Sequence, residues 1–342
     1  MPEMLTVAII GAGQIAGGYD RSRSDDDGVY THSGAFLKDG RFILETVADT
    51  DAARAEQFRE EWRFNSTASS VEEICHGRQD VVSVCTPDAN HYQTIRSLIE
   101  HRCCKTIFAE KPLALHGEEI AELTALAREN GVNIVVNFQR RFDPSHAEIR
   151  RLMATGEGKL LAGNAWYIKG LEHIGTTMID TLTFLCGIPR KVLAFNRVYN
   201  REANEYSYEF ILFFDGCNIT VKTVDRDSSP YNYHIFEIDL LFADRRITIN
   251  DNSRQMVVRK PTGYAYAGVK VLDDREPRVM ATGYSSSMSA AVDYIHQITT
   301  GKTAHTVNSP ETSAMNKLIV DAIVTSYEQA KPIDIGENPW NR

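Results

Sequence analysis

Four short stretches of this chain carry residue types that chemistry needs, and each follows a run of β-branched residues. The first is Gly11-Ala12-Gly13-Gln14-Ile15-Ala16, a G-x-G-x-x-A pattern directly after Leu5–Ile10. In such a turn the first glycine permits a tight bend, the second lets a pyrophosphate approach the backbone, and the alanine allows close helix packing. Gly11, Gly13, Gln14 and Ile15 are candidate dinucleotide contacts, and the helix expected to follow at once would aim its N-terminal amides at the phosphates. The second is Asp49, ending Val47-Ala48-Asp49. A carboxylate there accepts both ribose hydroxyls and repels a 2′-phosphate; no arginine directly follows it, so NAD is favoured over NADP. Asp49 lies farther from Gly13 than the usual ~20 residues, an excess that the polar insertion Asp20–Gly28 accounts for. The plainer alternative is that Asp49 caps a helix beginning near Asp51.

The third stretch is Cys85-Thr86-Pro87-Asp88-Ala89-Asn90-His91. Ligands of open parallel sheets lie beyond the carboxyl ends of strands, so Thr86 and Pro87 could line the nicotinamide side while Asn90 and His91 open the next helix. An ordinary strand-to-helix turn with Asn90 as N-cap is the alternative. The fourth is Ala109-Glu110-Lys111-Pro112. Burying a Glu-Lys pair at a strand end is costly unless the charges are used. Lys111 could hold a substrate oxygen and move its proton, with Glu110 beside the cofactor; a surface ion pair is the rival explanation.

Those stretches need a scaffold, and the hydrophobic pattern supplies one. Short apolar runs at Leu5–Ile10, Phe42–Ala48, Val81–Cys85, Thr106–Ala109 and Asn133–Val136 alternate with helical periodicity at Asp51–Glu61, His91–His101 and Gly117–Asn130. Alternation of this kind predicts a doubly wound parallel sheet covered on both faces. Beyond about residue 145 the texture changes. Strands are expected near Leu160–Ile168, Val192–Tyr199, Tyr206–Phe214, Asn218–Val224, Ile235–Phe242 and Arg246–Ile249, with a hairpin at Asp215-Gly216. Helices are expected near His146–Ala154, Met178–Leu185, Ser287–Thr299 and Pro310–Gln329. The fold class is α/β: an N-terminal Rossmann sheet over 1–140, then an α+β domain over 141–342 with a large, mostly antiparallel open sheet. A length of 342 residues agrees with roughly two domains.

Taken together, the glycine turn, the T-P-x-x-x-H turn and the E-K-P tripeptide resemble the Gfo/Idh/MocA oxidoreductase family, as does Asn137-Phe-Gln-Arg-Arg-Phe-Asp-Pro144 leading into a second domain. The resemblance implies an NAD(P)-dependent dehydrogenase or reductase acting on a secondary hydroxyl or ketone of a sugar, nucleotide sugar or cyclitol, held on the second sheet. It also exposes a departure. The family commonly places a polar residue, a histidine and an aspartate at the positions of His173, Thr177 and Asp180. Threonine cannot serve as a base near neutral pH, so His173, whose imidazole titrates there, is the expected substitute beside Lys111. Tyr167, Lys169, Thr177 and Asp180 are the remaining candidate substrate contacts. Thr177 and Asp180 could instead form a capping box for the following helix, and Tyr167 could simply pack in the sheet.

Two other activities stay open at this stage: cleavage of a glycoside through transient oxidation with no net redox, and non-catalytic binding of a dinucleotide or sugar. The charge balance excludes more. Lys plus Arg total 37 against 46 Asp plus Glu, a formal charge of −9, which gives no support to nucleic-acid or anionic-membrane partners. No apolar run approaches a membrane span, and the N-terminus lacks a signal-peptide pattern. Six cysteines without a C-x-x-C pair fit a reduced, cytoplasmic setting. Cys103-Cys104 is expected to be a buried apolar pair. The ten histidines show no metal-ligand spacing. An open sheet face would favour a homodimer or homotetramer.

Overall fold

The structure, a computed structural model, describes residues 3–21, 28–156, 158–201, 203–224, 235–266, 269–272, 277–305 and 307–336. Most of the polar insertion, residues 22–27, lies outside the described residues. Two compact units are formed, one from Met1–Phe142 with Ser285–Ala314 and one from Asp143–Tyr284 with Met315–Arg342.

In the first unit, β1 (Leu5–Ile10), β2 (Phe42–Ala48), β3 (Ser66–Ala68), β4 (Gln79–Val84), β5 (Cys104–Ala109) and β6 (Asn133–Val136) pair in parallel in the order β3-β2-β1-β4-β5-β6. That is the dinucleotide-binding strand order. The crossovers include α1 (His32–Asp39), α2 (Ala52–Trp62), α3 (Val71–His76), α4 (His91–Glu100) and α5 (Gly117–Asn130). Strands covered on both faces must be apolar throughout: Val7, Ala8, Ile9, Val81, Val82, Val84, Ile107 and Phe108 are all wholly buried.

The first crossover departs from the expected helix. Residues after Gly13 make little more than one turn, with Gly17 and Gly18 N–H donating to the Gly13 carbonyl and Tyr19 N–H to that of Gln14. After the insertion, His32 N–H donates to the Ile15 carbonyl at 3.2 Å and Ser33 N–H to that of Ala16 at 2.8 Å. The inserted loop has therefore split the helix, and α1 resumes its hydrogen-bond ladder on the far side. The cysteines also depart from expectation. Cys103 is bonded to Cys75 across 28 residues, joining α3 to the start of β5, whereas Cys104 is a buried free thiol.

The second unit carries a nine-stranded sheet. Its strands are β7 (Leu160–Tyr167), β8 (Lys191–Asn200), β9 (Glu205–Phe213), β10 (Asn218–Thr223), β11 (Phe236–Phe242), β12 (Arg246–Asn250), β13 (Gln255–Arg259), β16 (Arg278–Ala281) and β17 (Ile333–Asp334); β14 (Pro261–Tyr266) and β15 (Val269–Leu272) form a separate ribbon. Only β7 and β10 run parallel within the large sheet. The Asp215-Gly216 hairpin is present, with Gly216 at φ 85°. One face of the sheet packs on α6 (Pro144–Thr155), α7 (Thr176–Cys186) and Met315–Ile323 of α9 (Pro310–Gln329), around Tyr167, Phe210, Leu212 and Phe236. Leu161, Phe195 and Leu241 stay exposed.

The division at 140/141 expected from the sequence is not the whole partition. Helix α8 (Ser287–Thr299) joins the first unit, burying Met288, Ala291, Val292, Ile295 and Ile298 among Phe36, Phe42 and Phe108. Its apolar periodicity identifies an amphipathic helix but not the sheet it covers. No helix among the described residues is long and apolar enough to cross a membrane.

Candidate active site

Parallel pairing in the first unit continues one residue past each strand, which aligns four loops along the carboxyl edge. Gly11 N–H donates to the Ala48 carbonyl at 2.7 Å, Cys85 N–H to Ile10 at 2.8 Å, Glu110 N–H to Val84 at 2.9 Å and Asn137 N–H to Ala109 at 2.8 Å. Gly11 is the tight point of this edge. Its φ is +94°, and a Cβ there would stand 2.6 Å from the Cys85 carbonyl oxygen, so only glycine fits. Gly13 faces open space, with nothing within 4 Å of a Cβ built on it.

A cavity of about 370 Å³ opens at this edge, lined by Gly11, Asp49, Arg54, Thr86, Pro87 and Asn90 among others. Five of the candidates are thus brought together. Gly13, Gln14, Ile15, Glu110 and Lys111 are not among its lining residues, and neither is His91. His91 is wholly buried, with Nδ1 2.6 Å from the Pro112 carbonyl and Nε2 2.8 Å from that of Thr86. This corrects its expected cofactor contact: its ring braces two loops from behind. Asn90 occupies the cap position of α4 but makes no side-chain cap bond, because a 3-10 turn at Asp88–Asn90 precedes the helix.

Asp49 does not cap α2; Asp51 does, accepting from the N–H groups of Ala53 and Arg54. Asp49 instead accepts from Ala12 N–H at 2.9 Å and Asp51 N–H at 2.9 Å, tying β2 to the glycine turn. Burial works against its charge, but Arg54 and those two N–H groups outweigh it and hold the carboxyl below its ordinary range.

Beneath the E-K-P turn lies a network absent from the sequence reading. Glu110 Oε1 accepts from His32 Nε2 at 2.9 Å and from Asn137 Nδ2 at 2.7 Å, while Oε2 accepts from Lys111 N–H at 3.3 Å. The opposite nitrogen of His32 meets Ser83 Oγ. Burial penalises the Glu110 charge, yet His32, Asn137 and Lys111 together keep the carboxyl below its usual range. Hydroxyl, imidazole and carboxylate stand in the order of a hydrolytic triad, but Ser83 is wholly buried in β4, so it cannot meet a substrate as a nucleophile must. The chain of bonds holds Glu110, next to Lys111.

The second unit places the remaining candidates along one continuous stretch. Tyr167 is corrected: it is wholly buried, its hydroxyl donating to the Tyr208 carbonyl at 2.9 Å and accepting from Tyr208 N–H at 2.7 Å. It is a core clamp between strands, and burial pushes its phenol far up. Lys169 is partly buried with φ 70°. His173 is exposed on a π-turn, Leu171–Gly175. The N–H groups of Glu172 and His173 donate to Glu205 Oε2 at 3.0 Å and Oε1 at 3.1 Å, and Lys317 Nζ lies 3.0 Å from Glu172 Oε1. The capping-box alternative fails: α7 starts at Thr176 behind the π-turn and Thr177 is not its cap. Thr177 is partly exposed, whereas Asp180 is buried and accepts from Asn316 Nδ2 at 2.8 Å. Among the described residues no group of three or more His, Cys, Asp or Glu could hold a metal ion.

Of the residues missed, Asn137 obeys the rule already used for the others, since it directly follows β6. His32 and Glu205 carry no local signal, because each meets its partner only through the fold, whereas Arg54 stands five residues after Asp49 and its pairing is local.

Comparison with known proteins agrees with this arrangement. Residues 5–138 match the family described as Oxidoreductase family, NAD-binding Rossmann fold. The scyllo-inositol 2-dehydrogenase (NAD(+)) of Bacillus subtilis (strain 168) is 34% identical over 150 residues, 40% of this chain and 42% of that protein. An uncharacterized oxidoreductase of the same organism, YrbE, is 27% identical over 158 residues, 46% of this chain and 42% of its own length. The chain thus spans about two fifths of these relatives. A levoglucosan dehydrogenase solved in complex with NADH and levoglucosan superposes with a TM-score of 0.78 at 18% identity, covering 98% of this chain and 100% of that one; this likeness establishes the fold. Over residues 5–138 the chain is thus similar to the NAD-binding Rossmann domain of the Gfo/Idh/MocA oxidoreductases.

Proposed function

We propose that the chain is an NAD-dependent oxidoreductase that transfers hydride between nicotinamide and a secondary hydroxyl, or the matching ketone, of a sugar, nucleotide sugar or cyclitol. The observation that carries this reading is the convergence of Gly11, Asp49, Thr86, Pro87 and Asn90 on one cavity. The loop bearing Lys111 follows the next strand along the same edge. The residues fit a dinucleotide: Gly13 leaves its approach clear, and the cavity volume lies in the range of small-molecule sites. The scyllo-inositol relative supports the substrate class.

Bound NAD supplies the hydride acceptor. The rest is done by this chain's own side chains. Gly13, past the tight bend at Gly11, offers unobstructed backbone to the pyrophosphate, and Asp49 offers its carboxylate to the adenosine ribose. As the carbinol carbon loses hydride, its hydroxyl proton passes to the Lys111 amine; in the reverse direction Lys111 returns it. Glu110, held by His32 and Asn137, positions the lysine. The second unit's candidates are Lys169 and Thr177 for substrate hydroxyls and His173 for moving a proton.

The test is NADH formation from NAD over a panel of cyclitols, free sugars and nucleotide sugars. An active substrate supports the proposal. Glycoside cleavage without net NADH would replace it with the transient-oxidation reading, and dinucleotide binding without turnover of any member would leave a binding protein. With a substrate in hand, Lys111→Ala should lower turnover by roughly 10² or more with NAD affinity nearly unchanged. Survival of activity in that variant would refute the role given to Lys111.

A further inference from the structure

The carboxylate expected to receive the ribose is already full. Arg54 Nη2 donates to Asp49 Oδ1 at 2.6 Å and Arg54 Nε to Oδ2 at 3.0 Å, alongside the two backbone donors from Ala12 and Asp51. A carboxylate offers about four acceptor positions, so none is left for a hydroxyl. The backbone pair belongs to the glycine turn and the α2 cap and cannot yield without disturbing both. Arg54 can yield. Its side chain is 50% exposed, it springs from the first turn of α2, and it lines the cavity; solvent screens such a pair, so exchanging it costs little.

Two features favour NAD over NADP here: the Asp49 carboxylate repels a 2′-phosphate, and no arginine directly follows it. The first turn of α2 qualifies the second by carrying a guanidinium back onto the carboxylate. We propose that Arg54 selects the cofactor, competing with the adenosine ribose for Asp49 and, once displaced, meeting a 2′-phosphate at the same rim. This rests on the dinucleotide-binding reading above. A planar guanidinium suits the task, because it exchanges one bidentate oxyanion for another. The ribose of NAD must break the Arg54–Asp49 pair and gains only neutral hydroxyl contacts. A 2′-phosphate breaks the same pair but takes the released cation as its partner. Arg54 therefore narrows the preference for NAD that Asp49 alone would impose.

The test is direct titration of the whole chain with NAD and NADP, without substrate, by calorimetry or protein fluorescence. Arg54→Ala should tighten NAD severalfold and weaken NADP by about tenfold, the loss of one charge-assisted contact. The NAD-to-NADP affinity ratio should therefore rise well over tenfold. Arg54→Lys, which keeps the charge but not the fork, should fall between. Thermal melting of each variant checks that the fold survives. An unchanged ratio, or one shifted toward NADP, would overturn this inference alone. Failure of the unaltered chain to bind either dinucleotide would overturn the nucleotide reading and this inference with it.

Discussion

Glu110 is an ionised carboxylate in a buried place, and its surroundings say what keeps it there. His32 hydrogen-bonds that carboxylate, and removing a partner that leaves a buried charged acceptor unsatisfied costs about 1–3 kcal/mol or more. His32→Leu should therefore destabilise the chain by that order in chemical denaturation; a loss below about 1 kcal/mol would show that the pair is not what holds Glu110. The pH dependence has a sign as well. Because the folded carboxyl sits below its ordinary value, its stabilisation is present above the unfolded value of about 4.3 and is lost as pH falls through the folded one. In His32→Leu the stranded carboxyl would welcome a proton, so this contribution should reverse and acid should stabilise. Stability measured in both proteins from neutral to mildly acidic pH separates the cases. None of this was legible in the sequence, because His32 reaches Glu110 from 78 residues away. Lys111 and Asp49 could be singled out from the sequence as candidates, since both stand just past strand ends.

Among elements, the π-turn of His173 depends on a single glycine. Gly170 has φ 89°, and a Cβ there would fall inside the Glu205 carboxyl group, the group that receives the N–H donors of Glu172 and His173. Gly170→Ala should thus cost more than about 1 kcal/mol from backbone strain alone and should unhook the turn. Loss of turnover with NAD affinity preserved, measured in parallel, is the expected outcome; unaltered kinetics would detach His173 from this anchor. The expected helix at Met178–Leu185 was read nearly to its bounds, because apolar periodicity is local. The π-turn before it was not, since what stabilises it is a carboxylate from β9. The three-residue β3 escaped for lack of length, and α1 because the insertion separates it from the turn it continues. Tyr167 shows the opposite error: a tyrosine at a strand end suggests a ligand contact, yet its hydroxyl is satisfied by the next strand but one.

At the scale of the molecule, the first unit is discontinuous in sequence. Met288, Val292 and Ile295 of α8 share a core with Phe36 and Phe108, and Arg41 Nη2 lies 2.7 Å from Asp293 Oδ1. Residues 1–142 alone would expose that apolar surface. Such a fragment should bind a hydrophobic dye and aggregate, whereas joining residues 285–314 to it through a flexible linker should restore a cooperative melt. A soluble, cooperatively melting 1–142 fragment would deny α8 its place in the core. Because the ribosome emits the chain from one end, the wall that closes this unit emerges only after eight of the second sheet's nine strands have been made. At cellular elongation rates that delay is on the order of ten seconds, during which a half-built nucleotide domain must wait, shielded by chaperones or by its own partial collapse, for its last helix to arrive.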